Sequence, residues 1–228
     1  MKKENKRSVL AWTAVGFLLA FVIWTVGVSF VDRRTIGPRD SVVGFAALNG
    51  AFHRLTGTNM ALYVITDWLG LVPIAVAFGF GWVGLIQWIK RKDIRKVDYS
   101  ICALGIFYIV VIAAYIFFEE VVINYRPVLI EGYLEGSYPS STTLLVTCVM
   151  PTACMQFAAR IQREKLRKIV LFINVIFILF MVFGRLISGV HWLSDIIGGG
   201  LLSAGLDLLY AAVCMKKWKK EVFSIKNR

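Results

Sequence analysis

The chain has 228 residues, of which 58% are hydrophobic, and its mean hydropathy is +0.69. A soluble domain of this length needs far fewer apolar side chains for one core, so the composition excludes a soluble globular protein and predicts a membrane protein. The formal net charge of +12 does not indicate nucleic-acid binding, because the basic residues form short clusters between long apolar runs instead of covering one surface.

Six apolar stretches approach the roughly 20 residues that an α-helix needs to cross a bilayer. They are residues 8–30, 61–89, 99–123, 140–159, 169–187 and 193–215. The first is longer than the roughly 7–15 apolar residues of a secretion signal, and no clear small-residue cleavage site follows it, so it is also interpreted as a membrane helix. The sequence therefore predicts an all-α, six-transmembrane-helix bundle that forms a single membrane domain over residues 1–228.

The distribution of basic residues predicts the orientation of this bundle. Four segments contain 20 of the 26 Lys and Arg residues: 1–7, 90–96, 160–168 and 216–228. By the positive-inside rule these segments and both termini are cytoplasmic. Three loops then face the extracytoplasmic side: 31–60, 124–139 and 188–192. Short loops without a large extra domain favour a bacterial plasma membrane.

Two segments are predicted to contact the membrane surface. In the first outer segment, apolar residues recur at helical spacing, which predicts an interfacial amphipathic helix. These residues are Phe45, Leu48, Phe52 and Leu55. The basic tail, residues 216–228, contains the run Lys216-Lys217-Trp218-Lys219-Lys220. We expect it to bind anionic lipids of the inner leaflet, with Trp218 at the interface.

The metal-binding residue types do not form a site in the sequence. The two histidines, His53 and His191, are far apart, and the carboxylates are scattered. The four cysteines lie inside apolar stretches without paired spacing, so we interpret them as packing residues: Cys102, Cys148, Cys154 and Cys214. No disulfide framework, metal or cofactor is predicted.

Three polar clusters lie near predicted helix ends, where ionisable residues of a membrane protein are commonly functional. The first is Glu119-Glu120 with Arg126-Pro127, the second Pro139-Ser140-Ser141-Thr142, and the third Arg185 with His191 and Asp195. The predicted topology places all three at the same membrane surface. They are therefore expected to converge.

Each cluster has a chemical and a structural interpretation. His191 and Asp195 are four residues apart on one helical face, so the carboxylate could orient the imidazole as a nucleophile, or simply cap the helix. Arg126 and Arg185 suit phosphate recognition, or could extend toward lipid headgroups. The Ser-Ser-Thr run at 140–142 opens a helix and offers either an anion site or an N-cap.

Taken together, the clusters resemble the type-2 phosphatidic acid phosphatase superfamily, whose pattern is K-x6-R-P, then P-S-G-H, then S-R-x5-H-x3-D. Here the pattern reads Glu119-x6-Arg126-Pro127, then Pro139-Ser140-Ser141-Thr142, then Gly184-Arg185-x5-His191-x3-Asp195. The resemblance spans about residues 40–215, which would be the phosphatase-like core. It implies a six-helix membrane hydrolase whose substrate is a lipid phosphate or diphosphate.

The resemblance also implies roles for individual residues. His191 would attack phosphorus to form a phosphohistidine, and Asp195 would orient it. Four groups would bind the phosphoryl oxygens: Arg126, Ser140, the amide of Ser141, and Arg185. The scheme needs no metal or cofactor.

Two positions depart from the family pattern. Glu119 replaces the Lys of the first motif, and no Lys occurs between 97 and 164 that could replace it. Thr142 replaces the His that protonates the leaving group. Loss of a general acid slows expulsion of an alkoxide by roughly 10²–10⁴-fold. A phosphate leaving group is a weaker base, so we expect lipid diphosphates, such as a polyprenyl diphosphate, to be favoured.

Three alternatives remain at the level of the sequence. The departures are also compatible with a catalytically impaired phosphatase-like protein that binds or moves phospholipids. A transporter would use acids within the membrane, for which Asp67 and Asp207 are candidates, although both suit interhelical hydrogen bonds. His53 could act as a replacement acid or as an interfacial side chain.

Overall fold

The computed structural model describes the backbone of residues 2–226 and the side chains of residues 5–215 and 217. Within this part of the chain, eight α-helices are joined by short connections. They are α1 Lys2–Phe30, α2 Ala46–Thr56, α3 Met60–Leu69, α4 Leu71–Arg91, α5 Tyr99–Glu120, α6 Ser141–Arg160, α7 Glu164–Ile187 and α8 Leu193–Lys226. Strands β1, Arg34–Thr35, and β2, Val42–Val43, pair antiparallel between α1 and α2.

Six spans are long and apolar enough to cross a membrane, which confirms the predicted all-α, six-helix architecture. They are Asn5–Phe30, Met60–Arg91, Tyr99–Glu120, Ser141–Arg160, Glu164–Ile187 and Leu193–Met215. No end differs from the predicted stretch by more than five residues. The largest difference is at the start of α7, where Lys and Arg, which are good helix formers, extend the helix beyond its apolar run.

The second span is interrupted at Gly70, between α3 and α4. Pro73 has no N–H to donate to the carbonyl oxygen of Leu69, so one hydrogen bond of a continuous helix is lost. The start of α3 is capped by Asn59, whose side chain accepts a hydrogen bond from the Leu62 amide at 3.0 Å. The span therefore consists of a short α3, which carries Asp67, followed by the longer α4.

Helices α6 and α8 form the centre of the bundle. About half of the residues in their most apolar windows are buried, compared with less than a quarter in the other four spans. The centre holds small residues that allow close helix packing, as is usual in membranes. The indole N–H of Trp24 in α1 donates to the Ser194 carbonyl at 3.0 Å, which fixes α1 against the start of α8.

The first outer segment contains a helix, α2, as predicted. It is attached to the bundle through Asn49, which is fully buried and exchanges hydrogen bonds with Ser194 at 2.9 and 3.1 Å. Leu55 is 85% exposed, and Phe45 precedes the helix in a left-handed conformation. The helix thus covers the first turn of α8, the turn that carries Asp195.

A polar network joins α4, α5 and α6 at the end of the bundle that lies near the predicted cytoplasmic segments. Asp98 accepts hydrogen bonds from Gln87, Arg91 and Arg160, each at 2.9 Å. Burial raises the pKa of Asp98, but these hydrogen bonds outweigh it, so the pKa lies below its ordinary value. The carboxylate remains charged and stabilises this end of the bundle. The predicted lipid contacts of the basic tail lie outside the described side chains, except for Lys217, whose ammonium is 4.2 Å from the centre of the Tyr99 ring.

Candidate functional site

His191 lies in the loop between α7 and α8, with only 3% of its surface exposed. Its Nδ1 is 3.1 Å from the backbone carbonyl oxygen of Ser137, and its Nε2 is 3.2 Å from Nη1 of Arg126. A carbonyl oxygen can only accept a hydrogen bond and a guanidinium can only donate one. These partners therefore place the proton on Nδ1 and leave a lone pair on Nε2.

The surroundings of His191 also determine its charge. Burial lowers its pKa well below the ordinary value, and the positive charges of Arg126 and Arg185 lower it further, against an opposing contribution from the Ser137 carbonyl. The imidazole is therefore neutral at neutral pH. A neutral imidazole with an unprotonated Nε2 has the protonation state that a nucleophile requires.

Asp195 lies close to His191 but does not hydrogen-bond to it. Its Oδ2 is 3.7 Å from Nδ1 and accepts the amide hydrogen of Trp192 at 2.9 Å, while Oδ1 accepts from the Ser194 hydroxyl at 3.2 Å. As the third residue of α8 reaching back to the residue before the helix, Asp195 forms half of a capping box. The direct orienting contact expected for Asp195 is made by the Ser137 carbonyl instead.

Arg126 is held by a neighbouring residue of its own loop. Its Nε is 3.1 Å from Oε2 of Glu135, and its backbone amide donates to the Glu135 carbonyl at 3.0 Å. The loop is attached to the His191 loop, since the Trp192 indole N–H donates to the Tyr125 carbonyl at 2.6 Å. The sequence did not indicate Glu135 as a partner.

Arg185 is almost fully buried, so it does not extend toward lipid headgroups. Its Nη2 donates to Asp67 Oδ1 at 2.8 Å and to the Thr142 hydroxyl at 2.5 Å. Its guanidinium carbon lies 4.8 Å from the centre of the Tyr63 ring, and that of Arg126 lies 6.0 Å from the same ring. Tyr63 therefore brings the two arginines together. Asp67, a candidate for interhelical hydrogen bonding, joins α3 to α7 at the site.

Ser140 and Ser141, which begin the Ser-Ser-Thr run, make different contacts. Ser140 is fully buried and caps α6, with its hydroxyl accepting from the Thr143 amide and its own amide donating to the Asp195 carbonyl at 3.1 Å. Its side chain is not among the residues that line the crevice beside His191, and its contact with a phosphoryl group stays a prediction. Ser141 lines that crevice together with Glu119. The amides of the first turn of α6 have no acceptor within the helix, which leaves the Ser141 amide suited to an anion.

The crevice beside His191 is small, about 10 Å³, with room for about one water molecule. Each arginine is already engaged by a carboxylate, Arg126 by Glu135 and Arg185 by Asp67. A phosphoryl group would have to replace these contacts to reach Nε2. His53 does not line the crevice and contacts the loop instead, with its Nε2 3.1 Å from the Gly189 carbonyl.

The fold and these contacts define a multi-pass membrane protein with a buried, neutral histidine that accepts a hydrogen bond from Arg126. Residues 119–219 match the family model of the PAP2 superfamily. This segment contains all three motifs, and the match confirms the predicted resemblance to the type-2 phosphatidic acid phosphatase superfamily. At the level of the family, it supports a membrane lipid phosphatase.

A solved structure has the same fold. The crystal structure of the first transmembrane PAP2 type phosphatidylglycerolphosphate phosphatase from Bacillus subtilis is 19% identical in sequence, with a TM-score of 0.50, and the match covers 91% of this chain and 96% of that chain. No curated protein matches.

Proposed function

We propose that the protein is a lipid phosphatase that cleaves a lipid diphosphate on the extracytoplasmic face of the membrane through a phosphohistidine at His191. The observation that carries this proposal is the placement of neutral His191, with its Nε2 lone pair directed at Arg126. The match to a phosphatase superfamily supports the same reaction class.

In the first step, Nε2 of His191 bonds to the terminal phosphorus, and the bond from that phosphorus to the bridging oxygen breaks. The lipid monophosphate leaves with the bonding electron pair. Arg126 and Arg185 exchange their carboxylate partners for phosphoryl oxygens and stabilise the charge that develops in the transition state. The Ser137 carbonyl holds the Nδ1 proton, and so keeps the ring in the reactive orientation.

In the second step, a water oxygen bonds to phosphorus and the bond between nitrogen and phosphorus breaks. The electron pair returns to Nε2, and both water protons stay on the inorganic phosphate. His191 is then neutral again and ready for another turnover. Asp195 supports both steps as a positioning residue, by fixing the loop that carries the histidine.

The surroundings of Thr142 support a diphosphate as the substrate. Its hydroxyl accepts a hydrogen bond from Arg185 and is far too weak an acid to protonate an alkoxide. Glu119 lines the crevice, and its negative charge repels a phosphate where the family's Lys would attract one. A leaving group that needs no proton suits this site better than an alkoxide does.

We predict that the purified protein hydrolyses a polyprenyl diphosphate at least about 10²-fold faster than phosphatidic acid, because only the monoester requires a general acid. Phosphate release should be measured for both lipids in nanodiscs of the same composition. The variant Thr142→His should hydrolyse phosphatidic acid faster, and so lower the ratio of the diphosphate rate to the phosphatidic acid rate. Equal rates on the two lipids in the unmodified protein would contradict the diphosphate assignment.

The orientation can be tested by labelling introduced cysteines in intact cells with a membrane-impermeant maleimide. Arg33 and Arg95 are exposed and lie in loops predicted to be on opposite sides. We expect Arg33→Cys to react in intact cells and Arg95→Cys to react only after the cells are opened, with the unmodified chain as the background for its own cysteines. The reverse pattern would place the site in the cytoplasm.

One observation favours a second function, a protein that binds or moves phospholipids without cleaving them. The crevice beside His191 measures only about 10 Å³ and each arginine is held by a carboxylate, so a phosphoryl group does not reach Nε2 without displacing these contacts. This function predicts lipid binding without any phosphate release that depends on His191.

A further inference from the structure

Two cavities lie between α4 and α5, next to the site but outside it. The first has a volume of about 630 Å³ and extends from Asp67 and Thr142 to Gly81 and Tyr108. The second, about 320 Å³, begins at the same Gly81 and Tyr108 and extends to Trp88 and Ile94. The two cavities share these lining residues and are therefore adjacent, and together we call them the α4–α5 slot.

The slot runs through most of the thickness of a membrane. Gly70 borders its first end and Trp88 its second end, both in the same helical span. At a rise of 1.5 Å per residue, these positions are about 27 Å apart along the helix axis. The hydrocarbon core of a bilayer is about 30 Å thick.

The slot is polar at one end only. Asp67 and Thr142 border its first end, and both are hydrogen-bonded to Arg185. Ser141 borders both the slot and the crevice beside His191, so the two are neighbours. The remaining lining is almost entirely apolar. A long cavity with one polar end that opens at an arginine site matches an amphiphile with a phosphate headgroup and a hydrocarbon chain.

We propose that the α4–α5 slot binds the hydrocarbon chain of the substrate and selects a chain that is longer than one leaflet, such as a long polyisoprenoid. The proposal rests on the proposed function and specifies its substrate class. The acyl chains of a diacyl lipid end near the bilayer midplane, roughly 15 Å from the surface. Such chains occupy the first cavity, whereas a long isoprenoid also continues past Tyr108 into the second.

Two glycines provide a direct way to fill the slot. Gly81 borders both cavities and Gly105 borders the second from the opposite helix. A Cβ atom added at either position meets no neighbouring atom within 4 Å, so a larger residue can be introduced there without a clash at Cβ, and we expect Leu to narrow the slot. Gly79 has the same open surroundings but lines neither cavity, which makes it the matched control.

The test measures binding rather than turnover. Non-hydrolysable methylene diphosphonate analogues with three and with eleven isoprene units are titrated against the unmodified protein and against Gly81→Leu, Gly105→Leu and Gly79→Leu in nanodiscs. We expect the unmodified protein and Gly79→Leu to bind the longer analogue at least about 10-fold more tightly, because only the longer chain reaches the second cavity and gains packing contacts there. Gly81→Leu and Gly105→Leu should lose this preference and keep their affinity for the short analogue.

Size-exclusion profiles identify any variant that fails to fold, and either of the two slot variants alone is sufficient for the test. The proposal is overturned if the two analogues bind equally to the unmodified protein, or if Gly79→Leu changes the ratio as much as the slot variants do. A chain-length preference that is sensitive to Gly81, without any phosphate release from cleavable substrates, would sustain the slot and refute the phosphatase. Cleavage that depends on His191 but shows no chain-length preference would refute the slot and sustain the phosphatase.

Discussion

Replacing His191 with Ala will lower kcat by on the order of 10⁴-fold or more, because the nucleophile of a covalent mechanism has no substitute at the site. Phosphate release from a polyprenyl diphosphate in nanodiscs measures the loss. A second readout is the phosphoenzyme itself: a brief reaction of the unmodified protein should yield a phosphoryl group that is stable to alkali and labile to acid, located on His191 by mass spectrometry. The Ala variant should yield none.

His53→Ala is the matched control for this experiment. His53 is the other histidine of the chain and contacts the same loop, with its ring 5.5 Å from that of Trp192. Its removal perturbs the packing of the loop without removing the nucleophile, so a loss of less than about 10-fold is expected. Equal rates for the unmodified protein and His191→Ala would reject catalysis here and favour the phospholipid-binding alternative.

The variant Arg126→Ala should reduce kcat/KM by about 10²–10³-fold, the usual cost of losing one preorganised donor that stabilises transition-state charge. Nη1 of Arg126 already lies 3.2 Å from the attacking nitrogen, so it needs only a small movement to meet a phosphoryl oxygen. Arg126→Lys keeps the charge but loses the planar fork of donors, and should recover only part of the rate. Inhibition by orthovanadate, measured with the same variants, should weaken in the same order.

Arg39→Ala provides the control for charge and loop structure. Arg39 is exposed, and its Nη2 donates to the Gly132 carbonyl at 2.9 Å, so it contacts the loop of Arg126 without reaching His191. Its removal should leave kcat/KM within about three-fold of the unmodified value, as is usual for surface substitutions. If the two alanine variants lose activity equally, the role assigned to Arg126 is wrong.

The helices and the convergence of the motif residues could be predicted because their signals are local or periodic. Apolar runs of about 20 residues identify membrane spans in any sequence. The spacing of Arg185, His191 and Asp195 identifies a family motif, and the alternating topology of six spans places the motif loops at one surface. The convergence of Arg126 and His191 followed from these two facts together.

The partners of the site residues could not be predicted. Asp67 meets Arg185 across 118 residues of sequence, through the packing of α3 on α7, and no local pattern records such a contact. The contact between Nδ1 of His191 and Ser137 uses a backbone carbonyl, which every residue type provides. The role of Ser140 could not be predicted either, because an N-capping serine and a phosphate-binding serine have the same sequence signature at a helix start.

The α4–α5 slot was also invisible in the sequence. Glycines are common in membrane helices, and most allow neighbouring helices to approach. Gly81 and Gly105 instead border open space. Whether a glycine meets a neighbour or open space is a property of the packed bundle and not of its own helix.

The pairing of each site arginine with a carboxylate has a consequence for which lipids can compete for the site. The surrounding bilayer is itself made largely of phosphodiesters, each with one negative charge on its phosphate. Such a headgroup gains little by displacing Asp67 or Glu135, since it exchanges one single charge for another. A terminal diphosphate brings more charge and more oxygens than the two carboxylates it displaces. In the proposed phosphatase, the two acids would therefore act as counterions that disfavour the abundant phosphodiesters of the membrane and favour a lipid diphosphate.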